Sequence, residues 1–158
     1  MPVQHATTTQ ALDRWDLARP SVADLAAMIR AEFPRSGYAA YHAPRWAFTL
    51  KEVHRLLAAV HGRRPRVLDI GRSGFTALLE RHIPADVDSL GFELHGSPLA
   101  GCAHLHFDLN DSQYPERWLT GVAPYDVIVF GEVIEHLHTA PPLVLAFVRT
   151  LMRPDGAM

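Results

Sequence analysis

Cysteine is almost absent. Cys102 is the one thiol in 158 residues, so no internal disulfide can form and a disulfide-held secreted scaffold is excluded. Lysine is as scarce: of fifteen basic side chains only Lys51 is a lysine, and the rest are arginines. Against seventeen acidic residues the formal net charge is -2, which gives no strong field toward nucleic acid or acidic membranes. The one basic cluster, "GRRPR" from Gly62 to Arg66, reads as a solvated loop ahead of a strand. No run approaches the ~20 apolar residues of a membrane span. The opening "MPVQHATTTQ" lacks the charged-then-apolar order of a signal peptide. Internal repeats and low-complexity segments are missing too. The expectation is a cytoplasmic chain with no nucleic-acid or membrane partner.

What remains is ordinary globular material, 48% hydrophobic and 20% charged. We expect a loose arm over residues 1–20 and, over 1–62 as a whole, an N-terminal arm and helical segment. "SVADLAAMIRAEF" follows the arm as a helix capped by Ser21 and stopped by Pro34. "YAAYHAPRW" contains Pro44 and reads as a loop. "TLKEVHRLLAAVHG" reads as an amphipathic helix with a capping box of Thr49 and Glu52, ended by Gly62.

From residue 63 to 158 the pattern is that of an α/β core. "RVLDI", "VDSLGFE", "AHLHFDL" and "YDVIVFGEV" are apolar runs of strand length. "FTALLERHI" and "PPLVLAFVRTLM" have helical spacing, "SQYPERWL" reads as a short helix, and "RPDGAM" as a terminal turn. Such alternation predicts a Rossmann-like, doubly wound, mostly parallel sheet. Ligands of open α/β sheets bind beyond the carboxyl ends of the strands. Four acidic residues end the four strands, namely Asp69, Glu93, Asp108 and Glu132. Together they make a crevice suited to hydroxyls, amines and amides.

The turn after the first strand reads "GRSGFT", which lacks the later glycines of the dinucleotide fingerprint G-x-G-x-x-G. A nicotinamide-dependent oxidoreductase is therefore disfavoured. The residues instead resemble the class I S-adenosylmethionine-dependent methyltransferases. That family's first motif is D-x-G-x-G-x-G after a buried strand. Asp69 and Gly71 match it, while Ser73 and Phe75 stand at its second and third glycines. "LGFE" places Glu93 twenty-two residues beyond Gly71, and "HFDLN" supplies Asp108 and Leu109. "YDVIVFGEVIEHLHTAPPLVLAFVRTLMRPDG" looks like the family's fourth-strand segment almost throughout.

The resemblance implies S-adenosylmethionine as cofactor. Asp69 would meet its amino acid end and Glu93 its ribose diol. Asp108 would take the adenine amine, with the Leu109 backbone beside the ring and Glu132 near the fourth strand. Charge-assisted hydrogen bonds of this kind contribute about 1.5–3 kcal/mol each. Ser73 would add a hydroxyl for the cofactor carboxylate, Gly74 would restore backbone freedom, and Phe75 would cover the methionine chain. His136, the candidate catalytic residue, would hold the fourth-strand loop, line the acceptor pocket or act as general base, since a neutral imidazole can take an acceptor's proton. Tyr41 and Arg45, in an aromatic–arginine segment, would close over the cofactor. A metal reading of Glu135, His136 and His138 is set aside, since histidines two apart do not share a helical face. The expected acceptor is a small molecule. A catalytically silent, methyltransferase-like binding module is the alternative from another class. The family's fifth strand should follow "RPDG" and is expected to be missing. That would leave the fourth strand with an unpaired apolar edge open to self-association or a partner.

Overall fold

A computed structural model describes residues 15–92 and 101–158. Glu93 and most of the N-terminal arm lie outside the described residues. Helix α1 (Val22–Glu32) starts where the sequence places it: the Ser21 hydroxyl accepts the Asp24 N–H at 3.1 Å, and the Asp24 carboxylate accepts the Ser21 N–H at 3.3 Å. Helix α2 (Gly37–Leu57) is longer than expected. It absorbs both the supposed loop around Pro44 and the supposed cap at Thr49, which lies mid-helix. Proline in a helix interior leaves the carbonyl four residues earlier without its N–H partner. Here that carbonyl belongs to Ala40, and the Arg30 guanidinium from α1 donates to it at 3.3 Å. A partner from the neighbouring helix thus lets α2 run through its proline.

Strand β1 (Arg66–Ile70) leads into α3 (Gly74–His82), then β2 (Asp86–Gly91) and β3 (His104–His106). The expected helix around Pro115 is instead a pair of short 3-10 turns, Leu109–Gln113 and Pro115–Arg117. Strand β4 (Tyr125–Phe130), α4 (Pro141–Thr150) and β5 (Met152–Ala157) complete the order. The sheet runs β3-β2-β1-β4-β5 and every pairing is parallel.

Strand β5 corrects one expectation. The missing fifth strand is present, and it is the "RPDG" segment itself. Tyr125 pairs with Met152 and Val127 with Ala157, with an irregular register between them. Proline and glycine disguise the segment, since strands tolerate them chiefly at edges and bulges. Gly156 is required for the approach, because a Cβ there would lie 3.1 Å from the carbonyl oxygens of both Tyr125 and Asp126. The β4 edge is therefore paired with β5 from Tyr125 to Val127.

Two apolar layers sandwich the sheet. Alternation in β1 sends Val67 toward α1, α2 and α3, while Leu68 and Ile70 face α4. Val87 and Val127 join the first layer, and Leu90, Ile128 and Phe147 join the second. On the first side, buried His82 of α3 accepts the Trp15 N–H at its Nδ1 (3.2 Å), and its Nε2 lies 3.2 Å from Glu32 of α1. The helices are thereby tied to one another over the sheet. Strand order reverses between β1 and β4, and the site opens at that point.

Candidate active site

A crevice of about 1110 Å³ lies beyond the carboxyl ends of the strands. Asp69, Gly71 and Ser73 reach it from the turn after β1, and Asp108 and Leu109 from the turn after β3. Glu132 and His136 come from the segment after β4, and Arg45 from α2. Two candidates do not line it. Gly74 opens α3 against Trp46, where a Cβ would lie 3.1 Å from the indole. Tyr41 is 81% exposed on α2.

The turn after β1 explains its own glycine. Gly71 has φ of 82°, and a Cβ there would sit 2.6 Å from Cγ2 of Val133. Its N–H donates to the Leu90 carbonyl at 3.0 Å, which holds the turn against β2. Ser73 is the N-cap of α3: its hydroxyl accepts the Phe75 N–H at 3.1 Å, while Oγ1 of Thr76 accepts the Ser73 N–H at 3.0 Å. Thr76 in turn donates its hydroxyl proton to Asp69 at 2.6 Å. Asp69 is 3% exposed, and burial pushes its pKa up to about 7 although the Thr76 hydrogen bond pulls the other way. Phe75 is buried beneath Trp46, ring centroids 5.9 Å apart, so α2 roofs this end of the crevice.

On the opposite wall, Oδ1 of Asp108 accepts both the backbone N–H of Asn110 (2.9 Å) and its side-chain amide (3.1 Å). Glu132 occupies the left-handed region at φ 54°, rare for a residue with a side chain. Its carboxylate pairs with the Arg45 guanidinium and lies 3.5 Å from Nδ1 of His42. Burial, and then the charge of Arg45, hold His42 below the usual imidazole range. Arg45 and Glu132, proposed separately from sequence, thus meet across the mouth. His136 ends a 3-10 turn, Ile134–His136, and is exposed toward the crevice. Among the described residues no group of three or more His, Cys, Asp or Glu could hold a metal ion.

Asn110 and Trp46 were not singled out in the sequence. For Asn110 the available signal was an Asn two residues after an Asp, a usual partner in an Asx turn. For Trp46 it was helical spacing, obscured by Pro44.

A methyltransferase domain family matches residues 38–158. The chain belongs to that family. Its fold, with helices on a mostly parallel five-stranded sheet, is the Rossmann-like fold of the class I, S-adenosylmethionine-dependent methyltransferases. Among solved structures, this methyltransferase domain is similar to the MycE methyltransferase of the mycinamycin biosynthetic pathway in complex with Mg and SAH. There the TM-score is 0.53 and the identity 19%, over 87% of this chain and 33% of that one. The same enzyme with Mg, SAH and mycinamycin VI gives TM-score 0.51 and 16% identity, over 89% of this chain and 34% of that one. A third is the 1,6-didemethyltoxoflavin-N1-methyltransferase of Burkholderia thailandensis, with bound 1,6-didemethyltoxoflavin and S-adenosylhomocysteine. It is 25% identical over 87% of this chain and 62% of that one, with TM-score 0.46. The domain thus spans about a third of the length of the first two. No curated protein matches it. No helix among the described residues is long and apolar enough to cross a membrane.

Proposed function

We propose that this methyltransferase domain binds S-adenosylmethionine in the crevice and methylates a small molecule. One observation carries the reading: Asp69, Gly71, Ser73, Asp108, Leu109, Glu132, Arg45 and His136 all line a single crevice of about 1110 Å³. Pockets that enclose one small ligand run to ~300–1,000 Å³, so this one has room for a cofactor and an acceptor side by side.

The residues suit the cofactor's chemistry. Asp69 is a carboxyl shut away from water, which gains from a cationic ammonium. The bare Gly71 turn lets backbone approach the amino acid end. Asp108 faces the crevice as an acceptor for the adenine amine, with Leu109 against the ring. Glu93, outside the described residues, would take the ribose diol. When bound, the cofactor supplies a methyl group on a sulfonium, already a good electrophile. The protein's work is then alignment of the acceptor in line with that methyl group. Arg45 and Glu132 hold α2 over the crevice, where Trp46 packs on Phe75. His136, exposed toward the crevice, is the base that takes the proton the acceptor O or N gives up.

Calorimetric titration with S-adenosylhomocysteine, with NADH as control ligand, tests the reading. Micromolar binding of the first and none of the second is expected, with loss of binding in Asp108→Ala. Folded protein that prefers NADH would sink the proposal. Binding without turnover across a screen of acceptors would leave a silent binding module in its place.

A further inference from the structure

The two walls of the crevice are joined by one residue that neither recognition nor chemistry has claimed. Asn110 sits in the 3-10 turn after β3. Its side-chain amide and backbone N–H both donate to Oδ1 of Asp108, at 3.1 and 2.9 Å. That pair fixes the side chain and aims its carbonyl oxygen away from Asp108. The same oxygen accepts the backbone N–H groups of His138 at 2.8 Å and Thr139 at 3.3 Å. The Thr139 hydroxyl then returns, donating to the Asn110 backbone carbonyl at 2.6 Å. Thr139 is 7% exposed, so its two bonds face less competition from water than that of His138, which is exposed. His138 and Thr139 follow the turn that carries His136, one residue beyond it.

We infer that Asn110 is a positioning residue that clamps the His136 segment to the Asp108 turn, so that occupying the adenine end sets the acceptor end. The inference rests on the cofactor reading above, because it takes Asp108 as the adenine acceptor. A ligand on Asp108 fixes the carboxylate that orients Asn110, and Asn110 fixes the amides of His138 and Thr139. A site built this way binds cofactor first and completes the acceptor wall second. The coupling is reciprocal in free energy, as any linkage between two binding sites must be.

Amide hydrogen exchange across 134–139, measured with and without saturating S-adenosylhomocysteine, tests the clamp. In the wild-type chain the ligand is expected to slow exchange at His138 and Thr139 by about tenfold. In Asn110→Ala the ligand still binds, within about tenfold of wild-type affinity by calorimetry, but this protection disappears. Thr139→Val, which touches neither Asp108 nor the crevice, weakens the protection, and Thr139→Ser restores it because the hydroxyl donor returns. A mere packing role would alter exchange equally with and without ligand, and Ser would not rescue Val. Protection that survives in Asn110→Ala overturns the clamp, as does wild-type protein that binds ligand with unmoved exchange at these amides. Folded wild-type protein that binds no S-adenosylhomocysteine overturns the cofactor reading itself, and the clamp with it.

Discussion

Burial of Asp69 opposes its ionisation, and a cationic ligand reverses that opposition. With its pKa pushed up to about 7, the folded chain keeps a proton on Asp69 at pH values where the unfolded chain has lost it. A carboxyl raised in this way contributes stability in full below about pH 4, and that stability is lost as pH rises through about 7. Asp69→Asn should therefore gain thermal stability relative to wild type at pH 8, with a smaller difference at pH 5. Ligand binding has the opposite preference, because an ammonium needs the ionised form. Affinity for S-adenosylhomocysteine should fall by up to about tenfold per unit below pH 7, and binding at pH 6 should release protons to the buffer. Equal affinity at pH 6 and pH 8 would remove Asp69 from ligand recognition. Gly71 admits no such balance. Alanine there meets both a positive φ and a contact of 2.6 Å to Val133. The backbone conformation alone costs about 1–2 kcal/mol, so Gly71→Ala should lower the melting temperature and abolish ligand binding together.

At the scale of elements, the start of α3 asks two things of one hydroxyl. Ser73 caps the helix and also lines the crevice. Replacing a serine cap by alanine costs about 1 kcal/mol, whereas glycine costs a few tenths. Ser73→Gly should therefore keep most of the stability that Ser73→Ala loses in denaturant melts. Affinity for S-adenosylhomocysteine should drop about tenfold in both, the size expected for one hydrogen bond to a charged group. Unchanged affinity in Ser73→Gly would assign the hydroxyl to capping alone. Elements such as this one were legible in the sequence because their signals are local: a cap residue, a glycine, an apolar run of length five. The elements that escaped are those whose support is distant. Nothing near Pro44 announces that Arg30, fourteen residues earlier, serves the Ala40 carbonyl. Nothing in "RPDG" announces that β4 will pair with it across a bulge. For the site the same division holds. Carboxylates at strand ends could be read, since alternation fixes where strands stop. The pairing of Glu132 with Arg45 and of Asn110 with His138 could not, because each joins segments far apart in the chain.

The whole molecule separates its functional end from the end that holds the sheet together. At the amino ends of the strands, the Asp126 carboxylate of β4 is 5% exposed and pairs with the Arg63 guanidinium. It also accepts the Arg66 N–H of β1 at 2.8 Å, and Arg153 of β5 lies 3.3 Å away. Next to it, Arg66 stacks over Tyr125 at 4.3 Å and reaches Asp88 of β2 at 2.8 Å. One charged layer therefore joins four of the five strands at the edge opposite the crevice. The hydrogen bond from Arg63, with the Arg66 N–H and nearby guanidinium charge, holds the Asp126 carboxyl below the usual range. Its contribution is present above about pH 4 and is lost as pH falls through the depressed folded value. Arg63 is 35% exposed, so water takes up part of the loss when the pair is broken. Asp126→Asn should thus lower stability at pH 7, read from denaturant midpoints, with a smaller loss at pH 3. Under conditions where the variant is folded, its affinity for S-adenosylhomocysteine should match wild type within about twofold, since Asp126 lines no part of the crevice. A variant equally destabilised at both pH values would mean that shape, and not charge, carries the layer. A variant stable but deficient in binding would mean that the two ends of the sheet are coupled.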